Sequence, residues 1–591
     1  MNASVLEHPT WDGQIRALFA EPYWIDPSRR SAVGQGWIDA MSGYLVQLDQ
    51  YDSVKQWSTQ IYNHLHTRSM PLTTDVTQQW PDAALETFRA WVNQGWRRAA
   101  GDPLDPAERI ARPRERPLNL RIRRDIVDLA PAELDRYRAR LDDLGIGRVD
   151  PEAPWQKIAY VHTNWCLHYQ EAFLFWHRAN MLWLESQIGM PVPYWNWMSP
   201  RAAVDGDPHA GLPRCFLDKT YVHPDTGEVR PNPLRFAVAR DGRSKACVDD
   251  LAPDPACRFV HRDPVLATTG ERDREARQNK LDQLLVYQDQ VRAAFAMEAF
   301  SVPQGTPGYP WANIQTFPAP DDQYPYRTEN FDGAYEQPHD NLHGWVGPDM
   351  ADNAYTAFDP VFWSHHAMID LVFELWLRRR PATTLTANCP LLPFVGPRAA
   401  AIDETDPRQF LYTTVGEMAR DSRALGYDFA GIEAIEAQLA RPADDGPRLY
   451  AVFEGVRCTL DSYTLDLFLD QPGATLADAR STNPHFAIRM TRVGMGLPDD
   501  KGRCIKEPVT RAVDLTRTAR ALGLRPDIPV QLTALVRDVR TGLLLDPRAV
   551  ADLPGLTPRL AWKTAPGAVP APAPAPAPPQ AVHACCASSE P

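Results

Sequence analysis

The 591-residue sequence contains no run of some 18 apolar residues, so nothing in it reads as a membrane span. Its start, Met1-Asn2-Ala3-Ser4-Val5-Leu6-Glu7-His8, lacks a basic stretch followed by an apolar core, and no signal peptide is read there. Cysteine is scarce: the 9 residues stand singly apart from Cys585-Cys586. That is not a disulfide framework, and it fits a reducing cytoplasm. Positive charge is also short, 62 Lys and Arg against 75 Asp and Glu. The net charge of −13 argues against nucleic acid as a partner. No H-E-x-x-H segment occurs, which leaves a zinc-hydrolase reading without its glutamate base.

What the chain does hold is tryptophan and histidine placed together. Several of its 18 tryptophans flank two histidine groups, where a redox site would need a dry wall. The second group is the clearer: Glu336-Gln337-Pro338-His339-Asp340-Asn341-Leu342-His343, followed by Asp359-Pro360-Val361-Phe362-Trp363-Ser364-His365-His366. On a helix, His339 and His343 share a face one turn apart, as two ligands of one metal must. His365 and His366 point about 100° apart on a helix, so only one of them can join that pair. The first group holds His162, His168 and His177. Nine residues separate His168 from His177, half a turn out of phase, so His168 is placed in a loop and His177 on the helix after it. No carboxylate stands at ligand spacing. All-imidazole sets suit copper, zinc, iron or nickel rather than magnesium or calcium.

The first 110 or so residues carry helical spacing over Trp11–Ala20, 32–52, 54–66 and 83–96. Ser199 to Pro325 is rich in Pro, Asp and Gly and reads as an insertion holding one helix from about Arg272 to Phe300. After Phe429 the pattern alternates, as in Tyr463-Thr464-Leu465-Asp466-Leu467-Phe468-Leu469, which reads as strands. Ala565 to Pro579 is a Pro/Ala repeat without core-forming residues. Expected domains are therefore an N-terminal helical extension (1–114), a helical core (115–430), a β-rich domain (431–562) and a tail (563–591).

The chain resembles the tyrosinases of the type 3 dicopper family, which also holds catechol oxidases and haemocyanins. Cys166-Leu167-His168 with His177-Arg178, Pro193-Tyr194-Trp195-Asn196-Trp197, the Glu336 to His343 segment, Ala357 to His366 and Gly426-Tyr427-Asp428-Phe429 carry the resemblance. It implies a mainly α fold: a four-helix bundle holding two copper ions, here with the helical extension before it and a C-terminal β-sandwich-like domain covering the entrance. It implies His162, His168 and His177 as ligands of one copper. For the other it implies His339, His343 and, of the adjacent pair, His366, with His365 behind it and Asp370 buttressing His366 or capping local structure. It further implies a thioether between Cys166 and His168, and a pairing of Arg121, Arg123 or Arg124 with Tyr427. Glu336 matches the family's water-holding glutamate, and Asp340 stands where many tyrosinases have asparagine. These two are expected to orient a water that accepts a phenol proton. The implied activity is O2-dependent hydroxylation of monophenols and oxidation of o-diphenols to quinones. A catechol or o-aminophenol oxidase and an oxygen carrier are the competing readings. Small phenols and O2 are the expected partners, and self-association through the N-terminal helices is a further expectation.

Overall fold

The computed structural model describes residues 5–43, 45–66, 70–71, 76–107, 109–110, 120–169, 171–247, 255–300, 330–380, 390–395, 412–440, 447–496 and 509–563. The Pro/Ala tail and Cys585-Cys586 lie outside these. The chain divides into two units, one of residues 1–120 with 384–420 and one of 121–383 with 421–591. Inclusion of 384–420 with the first unit was not anticipated.

In the first unit, helices α1 (Arg30–Ser42), α2 (Ser58–His66) and α3 (Asp82–Asn93) follow the helical turns of Trp11–Ile15 and Arg16–Ala20. The helix expected over 32–52 stops at Ser42, and a new one starts at Tyr51. Trp11, Phe19, Trp80, Phe88 and Trp91 form its core. Their rings meet edge-on or tilted, as ring quadrupoles prefer. Pro390–Val395 pairs antiparallel with Tyr412–Thr414 in the same unit.

The second unit opens with β1 (Arg121–Arg123) and α4 (Pro131–Asp143). Helices α5 (Pro154–Trp165), α6 (Phe173–Ile188), α8 (Phe331–Val346) and α9 (Pro360–Arg379) carry the histidines, and α7 (Arg274–Phe295) packs on α8. Local signals set the ends. Pro154 and Pro360 open their helices, where a missing N–H costs nothing. The Asp359 side chain accepts the Val361 N–H. Gly189 closes α6 at φ 68°, a left-handed conformation that only glycine takes cheaply. Strand β2 (Tyr427–Phe429) returns to pair parallel with β1, Arg121 opposite Tyr427.

A buried charge network ties these pieces together. Arg123 bonds Glu185 and Asp370, and Arg178 bonds Asp370 and Glu374. Tyr427 donates its hydroxyl to Asp370, and the Arg123 guanidinium lies 4.1 Å from the Tyr427 ring centre. Arg121 is the strand partner of Tyr427, and Arg123 is the arginine whose side chain meets its ring. Asp370 does not buttress His366: its oxygens are taken by Arg178, Arg123 and Tyr427.

The C-terminal strands form two three-stranded antiparallel sheets. In one, β3 (Arg448–Val456) lies between β6 (Val509–Asp514) and β8 (Pro558–Lys563); in the other, β4 (Tyr463–Leu469) lies between β5 (Phe486–Arg492) and β7 (Leu532–Asp538). The β5 strand docks on α8. Thr491 N–H donates to Asn341 Oδ1 and the Gln337 amide donates to the Thr491 carbonyl. Gly344 makes room, since a Cβ there would stand 1.8 Å from Thr491 Oγ1. The insertion also contributes here, with the Tyr287 hydroxyl on α7 donating to the Arg489 carbonyl.

Cys247 and Cys257, read from the sequence as separate thiols, are joined in a disulfide. The pairing removes the ground for inferring a reducing compartment from cysteine usage. Among the described residues no helix is long and apolar enough to cross a membrane.

Candidate dinuclear metal centre

Each of the six expected ligands is at most 3% exposed, as is His365. His162 lies near the end of α5, His168 in the turn before α6, and His177 one turn inside α6. His339 and His343 share one face of α8. One ring nitrogen each from His162, His168 and His177 lies within 4.8 Å of the others, and the same holds for His339, His343 and His365.

Which ring nitrogens converge follows from their other partners. His177 Nδ1 is 2.8 Å from the Phe173 carbonyl, His343 Nδ1 2.8 Å from the Met350 carbonyl and His339 Nδ1 3.0 Å from Asp340 Oδ1. A carbonyl or carboxylate oxygen can only accept, so each Nδ1 carries its hydrogen and each Nε2 presents a lone pair. Yet His343 Nε2 stands 2.9 Å from His339 Nε2, and His339 Nε2 3.2 Å from His366 Nε2. In the first group His162 Nε2 is 3.2 Å from His177 Nε2, and His168 Nε2 is buried with no hydrogen-bond partner. The lone pairs of His339 and His343 facing each other at 2.9 Å repel unless a cation lies between them. Two nitrogens each about 2.0–2.1 Å from one ion stand about 3 Å apart, which is the spacing here. The donor set therefore fits a metal ion at each group.

Burial together with the neighbouring imidazoles pulls His177, His339, His365 and His366 well below the usual histidine range. Burial above all brings His343 down to about 3. The rings are thus neutral, the ligating form. His168 goes the other way. Burial lowers it, but the Cys166 sulfur and the Glu336 carboxylate outweigh burial and raise it to about 10.

The adjacent pair divides its work. His365 lies against Trp195 and Trp197 on one side and His339 and His343 on the other. His366 stacks on His177 with ring centres 4.3 Å apart and reaches His339 with Nε2. Proximity to His339 and His343 alone groups His365 with them, but only His366 stands between the two sets. Phe362, one turn before His366, packs against His162, His343 and His366 and gives both groups a common apolar wall.

The carboxylates sit at the edge. Glu336 Oε1 accepts the Tyr169 backbone N–H at 2.7 Å and lies 3.3 Å from His168 Nδ1. Asp340 Oδ2 accepts the Tyr169 hydroxyl at 3.0 Å. Burial and the nearby Glu336 carboxylate raise the Asp340 pKa. Cys166 Sγ lies within reach of the His168 ring and accepts a bond of 2.8 Å from the Asn353 amide. Tyr169, Asn353, Arg492 and Arg511 all border this region and were missed in the sequence. The one local hint was Tyr169, adjacent to His168 in the chain.

Residues 152–379 match the family model described as the common central domain of tyrosinase. A haemocyanin of the octopus Enteroctopus dofleini is 25% identical over 252 residues, 41% of this chain but only 7% of its own length. The Streptomyces glaucescens tyrosinase is 24% identical over 255 residues, 41% of this chain and 77% of its own. The solved tyrosinase of Burkholderia thailandensis is similar at 16% identity and a TM-score of 0.48, over 75% of this chain and all of that one.

Proposed function

We propose that the chain is a copper-dependent phenol oxidase that hydroxylates monophenols and oxidises o-diphenols to o-quinones with O2. The observation that carries this is the convergence of Nε2 atoms in two buried imidazole sets that stack ring on ring through His177 and His366. His162, His168 and His177 would hold one copper, and His339, His343 and His366 the other. The copper pair, when bound, supplies O2 activation and the electron transfer.

The protein's own part is positioning, drying and proton handling. Phe362, Phe173 and Trp176 line the imidazoles and exclude water. A free phenol has a pKa of about 10, so its hydroxyl must surrender a proton as it binds. Glu336, with Asp340 one turn on, stands nearest to receive it, directly or through a water. In this reading the phenol O–H bond breaks, and the proton passes to a carboxylate oxygen. Cys166 is proposed to join the His168 ring by a thioether: the S–H and a ring C–H bond break, a C–S bond forms, and O2 takes up the two electrons and two protons, a loss of two hydrogen atoms that intact mass measurement would reveal.

A second reading, oxidation of o-diphenols without hydroxylation, is favoured by one observation. Glu336 Oε2 is engaged by Arg511 at 3.0 Å rather than open. Oxygen uptake by the copper-loaded chain, with a monophenol and with its matching catechol, tests both. Uptake with both supports hydroxylation, and uptake with catechol alone leaves only the second reading. Reversible O2 binding without turnover would replace both with an oxygen carrier. Glu336→Gln is expected to slow hydroxylation about 100-fold or more, within the usual span of general-base effects, while catechol oxidation falls much less. Equal losses on both substrates would remove Glu336 from the proton path.

A further inference from the structure

The connector between α8 and α9, residues 347–359, is gripped by the insertion. Asp349 in this connector is fully buried, and each of its carboxylate oxygens accepts one backbone N–H of the insertion: Lys245 to Oδ1 and His261 to Oδ2, both at 2.7 Å. The Asp349 N–H returns a bond to the His261 carbonyl. Three residues on, Asp352 Oδ2 pairs with Lys245 Nζ at 2.8 Å, the lysine side chain only 2% exposed. The two donor segments are themselves joined. The disulfide links Cys247, just after Lys245, to Cys257, just before His261, and the Ser244 N–H donates to the Cys257 carbonyl. A buried carboxylate is costly unless charge-assisted hydrogen bonds replace its water, and here the insertion supplies one to each oxygen.

What this clamp holds is the support of one histidine. Met350, next in the chain after Asp349, offers its carbonyl to His343 Nδ1 at 2.8 Å, and Thr356 Oγ1 stands 3.0 Å from the same nitrogen. Thr356 is placed in turn by its N–H bond to the Asp352 carbonyl at 2.8 Å. Both neighbours of His343 Nδ1 therefore hang on the two acids that the insertion holds. His177 in the other group relies on the Phe173 carbonyl one turn back on α6, a bond within its own helix. A metal-bound imidazole is oriented by the acceptor of its other N–H, and loss of such support costs typically about 10–100-fold in metal affinity.

We infer that Asp349 is a positioning residue for the copper assigned to His339, His343 and His366. It acts through the Met350 carbonyl, which sets the direction of the His343 ring, and the insertion is the part of the chain that holds it there. The clamp serves this copper alone and not the one assigned to His162, His168 and His177. The inference rests on the dinuclear copper reading above.

The test measures copper(II) affinity by equilibrium titration of the full metal-free chain, followed by tryptophan fluorescence and checked by metal analysis. Asp349→Ala and Asp349→Asn are each made in two single-ion backgrounds. His177→Ala keeps only the second imidazole set intact, and His339→Ala keeps only the first. Asparagine keeps the volume of the side chain and one oxygen for one of the two N–H groups, so it reads the same contact where alanine impairs folding. In the His177→Ala background, Asp349→Ala is expected to bind copper about 10-fold or more weakly, and Asp349→Asn to lose less. In the His339→Ala background neither substitution changes the affinity. Equal weakening in both backgrounds overturns the inference, because Asp349 would then serve the fold at large. Unchanged affinity in both also overturns it and leaves the dinuclear reading standing. Failure of the wild-type chain to take up two copper ions overturns that reading itself, and this inference with it.

Discussion

His365 and His366 leave α9 in different directions, one toward Trp195 and Trp197, the other onto His177. The difference can be read as copper content. His366→Ala is expected to lower the copper bound per chain from two ions to one, since it removes an imidazole from the second set. His365→Ala is expected to keep both ions, with at most a weaker hold on the second. Metal analysis of the purified variants checks this, and the reverse pattern would assign the ligand to His365. The adjacent acids show a similar division. Asp340 supports His339 through Nδ1, while Asp370, four residues beyond His366, serves the arginine network instead. Spacing in the chain brought both acids to notice. It did not reveal Arg178 and Arg123, which compete for Asp370 from α6 and β1.

Among the elements, α8 does the most. One face carries His339 and His343, while Gln337, Asn341, Gly333 and Gly344 receive the C-terminal strands. Gly344→Ala should therefore push β5 away, since the new Cβ would stand 2.7 Å from Thr491 Cβ and 1.8 Å from its Oγ1. Overpacking of this kind costs roughly 1–3 kcal/mol. Faster hydrogen exchange along 486–492 and a lower urea midpoint are the expected readings, and unchanged exchange would mean that β5 yields at no cost. The helices bearing the histidines were legible because one signal is local: imidazoles at four-residue spacing in apolar, aromatic sequence. Strand alternation likewise marked the C-terminal sheets. The docking of β5 on α8 was not legible, because it joins residues 150 apart whose side chains, Thr491 and Asn341, have no periodicity to announce them. Arg511 lies 175 residues from Glu336 and sits in an ordinary strand, where an arginine most often faces solvent. The Cys247–Cys257 disulfide was missed for a related reason, since ten residues of separation are equally compatible with two free thiols.

Across the whole second unit, the Arg123–Glu185–Asp370–Arg178–Glu374 network joins β1, α6 and α9, and Tyr427 ties β2 into it. Removing one partner leaves a buried charge uncompensated, so Arg178→Met is expected to cost roughly 3–5 kcal/mol in denaturant unfolding. A loss below about 1 kcal/mol would show that the network is not what holds these elements. The pH dependence follows with a definite sign. Burial alone would raise the Asp370 carboxyl, but Arg178 and Arg123 outweigh it and hold it below the usual carboxylate value. Its stabilising contribution is therefore complete above the unfolded pKa of about 3.9 and is lost as pH falls through the lower folded value. Asp370→Asn should be less stable at neutral pH and show a shallower loss in acid below about pH 4.

The most direct test of the dinuclear centre is an equilibrium titration of the metal-free chain with copper, followed by tryptophan fluorescence and checked by metal analysis. Saturation is expected at two ions per chain, falling to one in both His177→Ala and His339→Ala. Saturation at one ion or none in the wild type, or a stoichiometry unmoved by either substitution, would contradict it.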